Sequence, residues 1–197
     1  GEGAVQVIVR GMREHPENAG VQTEGCRALR SLALAEDYQV VMVKEGAAAV
    51  VMAALQQHVA VPELAEQALW ALRRLGEHKE NKDAMLGLEM VPVVLATMRA
   101  HKTNAAVLAE GCAALRSQAT NHAKSKVVVI AAGGPGVVLA AMDAHAGHAD
   151  VQEHGCWAMR VLAERAEGKL SLVKQSSLPT ILRALREHQG HQWVQAE

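Results

Sequence analysis

The 197-residue chain contains no phenylalanine, a single tyrosine and three tryptophans, so a core has to be assembled from Ala, Val, Leu and Met. A core of such aliphatic side chains, nearly free of aromatics, suits close helix–helix contact better than the layers of a β-sandwich. Charge of one sign is also missing, because twenty basic residues face twenty-one acidic ones. No global field therefore steers the chain toward nucleic acid or an anionic membrane. No apolar run reaches the length of a bilayer span, and no N-terminal signal-peptide pattern is present. Enzyme motifs are absent as well. The GGPG at Gly133–Gly136 lacks the Lys-Ser/Thr ending of a phosphate loop and reads as an interhelix turn. No Ser/His/Asp or Cys/His pairing has a local pattern. Lys79, Lys82, Lys124 and Lys126 form only small clusters without an aromatic platform, which disfavours nucleic acid.

What is present is a thirteen-residue block that occurs four times: VQTEGCRALRSLA from Val21, LAEQALWALRRLG from Leu64, VLAEGCAALRSQA from Val107 and VQEHGCWAMRVLA from Val151. A fifth copy, VQAE, begins at Val194, and successive starts lie 43, 43, 44 and 43 residues apart. A helical unit of this period predicts an α-solenoid, in which each repeat contacts only its neighbours. The shared phase predicts that the four blocks lie side by side. Leu29, Leu72, Leu115 and Met159 should be buried, together with Cys26, Leu69, Cys112 and Cys156. Cysteines one repeat apart stand on the order of 10 Å from each other, beyond disulfide reach. They read as small buried hydrophobes in a reducing compartment, cytoplasmic or nuclear.

A second block keeps the same phase: MREH, LQQH, MRAH, MDAH and LREH, ending at His15, His58, His101, His145 and His188. Apolar helices are predicted upstream over Ala47–Leu55, Met90–Met98, Pro135–Met142 and Leu178–Leu185, with Pro92 and Pro179 near their starts. Gly3, Gly46 and Gly133 sit where a sharp bend should precede them. Shorter helices are expected over Asp37–Lys44, Lys79–Leu86, Ser125–Ile130 and Lys169–Lys174.

Short helix, glycine bend, second helix, loop and long third helix is the order of the armadillo repeat. ALWALRRLG at Ala68–Gly76 and EGAAAVVMAAL at Glu45–Leu55 resemble that family's third helix and its bend into the second. The resemblance implies an all-α, right-handed α-solenoid of three-helix repeats whose third helices line a concave groove. The array reads as a single unit over 1–197: the end of one repeat over 1–20 with its third helix at 21–33, full repeats at 34–76, 77–119 and 120–163, and a truncated one at 164–197. Nuclear-import receptors of the family clamp peptide backbone with a Trp and an Asn four residues later. Here the Trp slot holds Arg27, Trp70, Ala113 and Trp157, and the Asn slot holds Ser31, Arg74, Ser117 and Val161. None of the latter reproduces an amide's paired donor and acceptor, so import-receptor reading is not expected.

Arg30, Arg73, Arg116 and Arg160 recur one position before the Asn slot. They read either as a ladder for carboxylates of an acidic partner or as internal salt bridges between repeats. Trp70 with Arg73 and Trp157 with Arg160 share a helix face and should stack, and Glu77 and Glu164 lie four residues after those arginines, placed to pair with them. The histidines fit helix ends, donating to free carbonyls, better than a metal site. His148, His154 and His191 do not change that reading, and no metal or cofactor is expected. Gln118 interrupts a leucine slot and, if buried, must hydrogen-bond a nearby backbone or polar group. Repeat three carries a one-residue insertion, either near Asn121 or at the Gly133 bend.

The expected function is a non-catalytic protein-interaction scaffold. Its partner segment, acidic or from another domain of the parent chain, would lie along the groove on Arg27, Arg30, Trp70, Arg73, Arg74, Arg116, Trp157 and Arg160. Trp70 and Trp157 would be the anchors. Alternatives are a regulatory module binding an anionic metabolite through the Arg row, and an RNA-binding solenoid. No membrane partner is expected. Because neither end carries a polar cap, Val5, Ile8, Val9 and Met12 are expected to be exposed, the array to continue on at least one side, and the chain to associate end to end.

Overall fold

The computed structural model describes residues 2–188, 190 and 194. Among them there is no β-strand, and the helices are α1 (Glu2–Glu14), α2 (Ala19–Leu32), α3 (Gln39–Lys44), α4 (Ala47–Gln57), α5 (Pro62–Leu75), α6 (Asn81–Gly87), α7 (Met90–Ala100), α8 (Ala105–Ala119), α9 (Ala123–Ala131), α10 (Gly134–Ala144), α11 (Ala149–Ala163), α12 (Ala166–Lys174) and α13 (Leu178–Glu187). They form an α-solenoid. The third helices α2, α5, α8 and α11 pack side by side in one row, and the second helices α1, α4, α7, α10 and α13 in another. No single described helix is long and apolar enough to cross a membrane.

Each third helix starts two residues earlier than its block. Asn18 and Asn104 cap α2 and α8, their Oδ1 atoms accepting from the Val21 and Val107 N–H groups at 3.1 Å. Pro62 opens α5, where its missing N–H leaves nothing unpaired. The cores follow the shared slots: Leu29, Leu69, Leu72, Cys26 and Cys112 are completely buried, and Leu115, Met159 and Cys156 nearly so. Burial pushes the Cys26 and Cys112 thiols up to about 12, so both stay protonated and unreactive.

A packing rule links the second and third helices. A Cβ placed on Gly25, Gly111 or Gly155 would meet the side chain of Met12, Met98 or Met142 at 2.6, 2.5 and 2.6 Å. The repeat that lacks this glycine has Ala68 instead, and there the methionine slot holds Leu55. The bend before each of the second helices α4, α7, α10 and α13 contains a left-handed residue. Gly46 (φ 92°) and Gly133 (φ 80°) fill it as expected, while Glu89 (φ 60°) and Ser176 (φ 50°) fill it without glycine. At Gly46 and Gly133 the chain turns by 71° and 70°.

Several expectations are corrected. Gly3 lies inside α1 rather than at a bend. Val5, Val9 and Met12 are buried and Ile8 is half-buried, because α1 turns its apolar side onto α2 and α4. At the other end Val173, Leu178 and Leu182 are exposed. The extra residue of repeat three lies ahead of its bend, since Gly133 follows Glu89 by 44 residues and Asn121 adopts a left-handed φ of 54°. Of the fifth copy only Val194, which is buried, is described. Gln195–Glu197 and His191 lie outside the described residues.

Candidate functional site

Translation by one repeat sets the geometry of the third-helix face. An arginine near the end of one third helix reaches the middle of the next, about 10 Å away. Arg30 donates to Gln67 Oε1 at 2.7 Å, and Arg73 Nε lies 3.2 Å from Glu110 Oε2. Those two acceptors belong to a row, Glu24, Gln67, Glu110 and His154, whose members occupy one slot of successive repeats. Arg30 and Arg116 stack on the following repeat's tryptophan: Arg30 stands 4.6 Å from the centroid of Trp70 and Arg116 only 3.7 Å from that of Trp157. Stacking within a helix also occurs, at longer range: Arg73 at 5.1 Å and Arg74 at 5.9 Å from Trp70, and Arg160 at 5.9 Å from Trp157. Both indoles are half-buried, and Ala113, in the Trp slot between them, is fully covered.

The remaining arginines are engaged as well. Arg27 pairs across the repeat with Glu63 at 2.5 Å and along its own helix with Glu24 at 3.4 Å. Arg74, not Arg73, pairs with Glu77, and Glu164 pairs with Lys126 rather than Arg160. Arg73 instead lies against Glu110 and over Trp70, and Arg160 lies 5.9 Å from the Trp157 centroid. Arg160 is the most open of the row. The internal salt-bridge reading therefore describes Arg27 and Arg73, and a mixed polar and aromatic stack describes Arg30 and Arg116.

Burial shapes the electrostatics of this face. The His154 imidazole is held down to about 4 by burial first and then by the charges of Arg116 and Arg73, so it is neutral at pH 7. Burial raises the Glu110 carboxyl, and Arg73 and Arg30 oppose that rise. A second polar seam runs along the ends of the third helices. Lys82 Nζ donates to the Ser117 and Thr120 carbonyls at 2.7 and 2.5 Å, covering the negative end of α8. Gln118 is fully buried and donates through Nε2 to Lys82 O (2.7 Å) and Ser125 Oγ (3.0 Å), which satisfies the donor side of its amide.

The histidine block has a different geometry from the one expected. His58, His145 and His188 do end their helices, but their rings reach back one repeat, to the carbonyls of Pro16 (2.7 Å), Lys102 (3.0 Å) and Ala146 (2.7 Å). They tie successive loops together instead of capping their own helices. No group of three or more His, Cys, Asp or Glu side chains among the described residues is placed to hold a metal ion. Sequence reasoning missed the Glu24–Gln67–Glu110–His154 row because its four members share polarity but not identity. The only available signal was its fixed place one residue before the small Gly or Ala of each block.

The family model described as LRRK2 ARM repeat matches residues 49–197. No curated protein matches the chain.

Proposed function

Because the chain belongs to the LRRK2 ARM repeat family, an armadillo-type family of repeat scaffolds that typically serve protein interaction, we propose that it is a non-catalytic scaffold. A partner segment would be received on its third-helix face, with Trp70 and Trp157 as anchors. The observation that carries this reading is the clamping of both indoles. Each is half-buried and held by guanidinium groups from its own repeat and from the preceding one. A large ring held in place before binding loses little side-chain freedom when a partner covers it. Tryptophan is also among the residues most enriched at binding hot spots. Arg27, Arg30, Arg73 and Arg74 are neutralised or hydrogen-bonded within the array. They therefore frame the aromatic sites rather than forming an open ladder for an acidic segment. The same pairings weigh against an anionic metabolite or RNA on the Arg row. A reducing compartment, the cytoplasm or nucleus, completes the proposal.

The test is selection of peptides from a displayed library against the immobilised chain, followed by affinity measurements on variants. Trp70→Ala or Trp157→Ala should weaken the selected binders by ~30-fold, the equivalent of a hot spot of ~2 kcal/mol. Trp→Phe variants, which keep an aromatic face, should weaken them less. Binders that are all indifferent to both tryptophans would overturn the proposal.

A further inference from the structure

The grooves between successive second helices are repeats of one another, so they can be compared slot by slot. The α4–α7 groove is lined by Leu55, Gln56, Val59, Glu89, Pro92 and Val93, among others, and measures about 320 Å³. In the α7–α10 groove the same slots hold Met98, Arg99, Lys102, Gly133, Gly136 and Val137, and the volume is about 550 Å³. Three changes coincide. Gly133 and Gly136 replace Glu89 and Pro92, which removes side chains from the floor. The single carboxylate of the lining disappears with Glu89. Two cations, Arg99 and Lys102, appear on the rim where the neighbour has Gln56 and Val59.

Arg99, in the last turn of α7, and Lys102, in the turn just after it, are exposed and have no carboxylate paired with them among the described residues. Other surface cations nearby do have partners: Lys124 pairs with Asp83 at 3.0 Å and Arg183 with Asp143 at 2.6 Å. Asp143 occupies in α10 the slot that Arg99 occupies in α7, yet it is turned to the following repeat, where it also accepts from Thr180. The wider groove is thus apolar along its floor and positive along one side, and its counter-charge is not supplied by the neighbouring repeats.

From this we infer that the α7–α10 groove is a second docking site, separate from the third-helix face, for an amphipathic helical segment. That segment would carry aliphatic anchors on one side and carboxylates beside them. Helix-in-groove binding places anchors at i, i+3, i+4 and i+7 against such a floor. Each helix of the groove has eleven residues, a length of about 16 Å, which matches three turns of a docked helix. The occupant's carboxylates would meet Arg99 and Lys102, and such pairing fixes orientation and raises the association rate more than it adds affinity. The α4–α7 groove, narrower and bearing Glu89, would reject the same segment.

The experiment uses fluorescence anisotropy of a labelled model helix built from Leu-Glu-Glu-Leu units, with its Lys counterpart and a sequence-scrambled version as controls. The Glu peptide should bind, more weakly as salt rises, and the controls should not. Ala140→Glu places a carboxylate on the exposed part of the floor, and Arg99→Gln with Lys102→Ser removes the rim charge. Each should weaken binding by about tenfold, with circular dichroism unchanged and with Trp157→Ala without effect. Equal binding of the Lys and Glu peptides, or binding of the Glu peptide that survives both sets of substitutions, would overturn the inference. So would phosphatidylserine vesicles that bind through Arg99 and Lys102 while the peptide does not, since the groove would then serve a lipid surface.

Discussion

The pairing of Gly with Met across the second and third helices makes a prediction in which two opposing effects can be weighed. Gly111 lies in the middle of α8, where an alanine would gain ~1 kcal/mol of helix propensity. Against that gain, the new Cβ would stand 2.5 Å from Met98 Cγ and 2.8 Å from its Sδ. Overpacking of this kind costs about 1–3 kcal/mol. The steric term is the larger, so Gly111→Ala should destabilise the chain by ~1 kcal/mol despite alanine's preference for helix. The repeat at 34–76 already carries the relieved combination, Ala68 with Leu55, both of them buried. Met98→Leu alone exchanges side chains of similar volume and should cost less than about 1.5 kcal/mol. The double variant should therefore recover stability relative to the sum of the single changes, with a coupling of ~1–2 kcal/mol, within the range found for residues in contact.

Urea denaturation followed by far-UV circular dichroism supplies the four corners of this cycle. The denaturant slope has to stay constant among the variants, because a solenoid can lose its end repeats separately. In a chain of this size each kcal/mol also moves the melting temperature by ~2–4 °C. If Gly111→Ala were to stabilise the chain, and the cycle to close additively within ~0.3 kcal/mol, the contact would not be what keeps glycine in that slot.

Two further outcomes follow from the buried polar groups. The His154 pKa is lowered to about 4 in the fold, so the unfolded chain takes up the proton first. Its contribution is present above pH ~6.5 and is lost as pH falls toward 4, by up to about 3 kcal/mol. Melting curves between pH 7 and 4.5 should show a steeper decline for the parent chain than for His154→Gln, with Glu110 retained because its raised carboxyl acts in the opposite sense; equal slopes would refute the assignment. Gln118→Leu restores the leucine of the neighbouring repeats yet leaves Lys82 O and Ser125 Oγ without its amide, and should cost ~1–2 kcal/mol in urea; a neutral or stabilising effect would show that the two hydrogen bonds contribute nothing net.

The period was enough to place the helices, because the apolar slots that repeat every 43 or 44 residues set the buried side of each copy. Leu29, Leu72, Leu115 and Met159 are readable in that way, and so is the cysteine slot that Leu69 shares. Two kinds of inference did not transfer. One concerns α1: exposure of Val5, Val9 and Met12 is the expectation, but the helix packs on α2 and α4 and buries all three. The other concerned the bends. Glycine marks only two of the four left-handed positions, since Glu89 and Ser176 tolerate the same backbone.

Partnership was the least legible property, and the reason is geometric. Local rules for helices look three or four residues along the chain, which is why Glu77 and Glu164 were assigned to Arg73 and Arg160. In a stacked array a third-helix arginine also finds polar partners in the next repeat: Arg30 meets Gln67 at a separation of 37 residues. Arg73 and Glu110 stand in the same relation, and the histidine rings reach back 42 or 43 residues. Such contacts are invisible to a search within one helix. They become visible when the repeats are written under one another and each slot is compared with the slots of the repeat on either side. Read in that register, the Arg row is a device that joins repeats and fixes two tryptophans. The cations of the α7–α10 groove stand out because, among the described residues, no neighbouring repeat supplies their counter-charge.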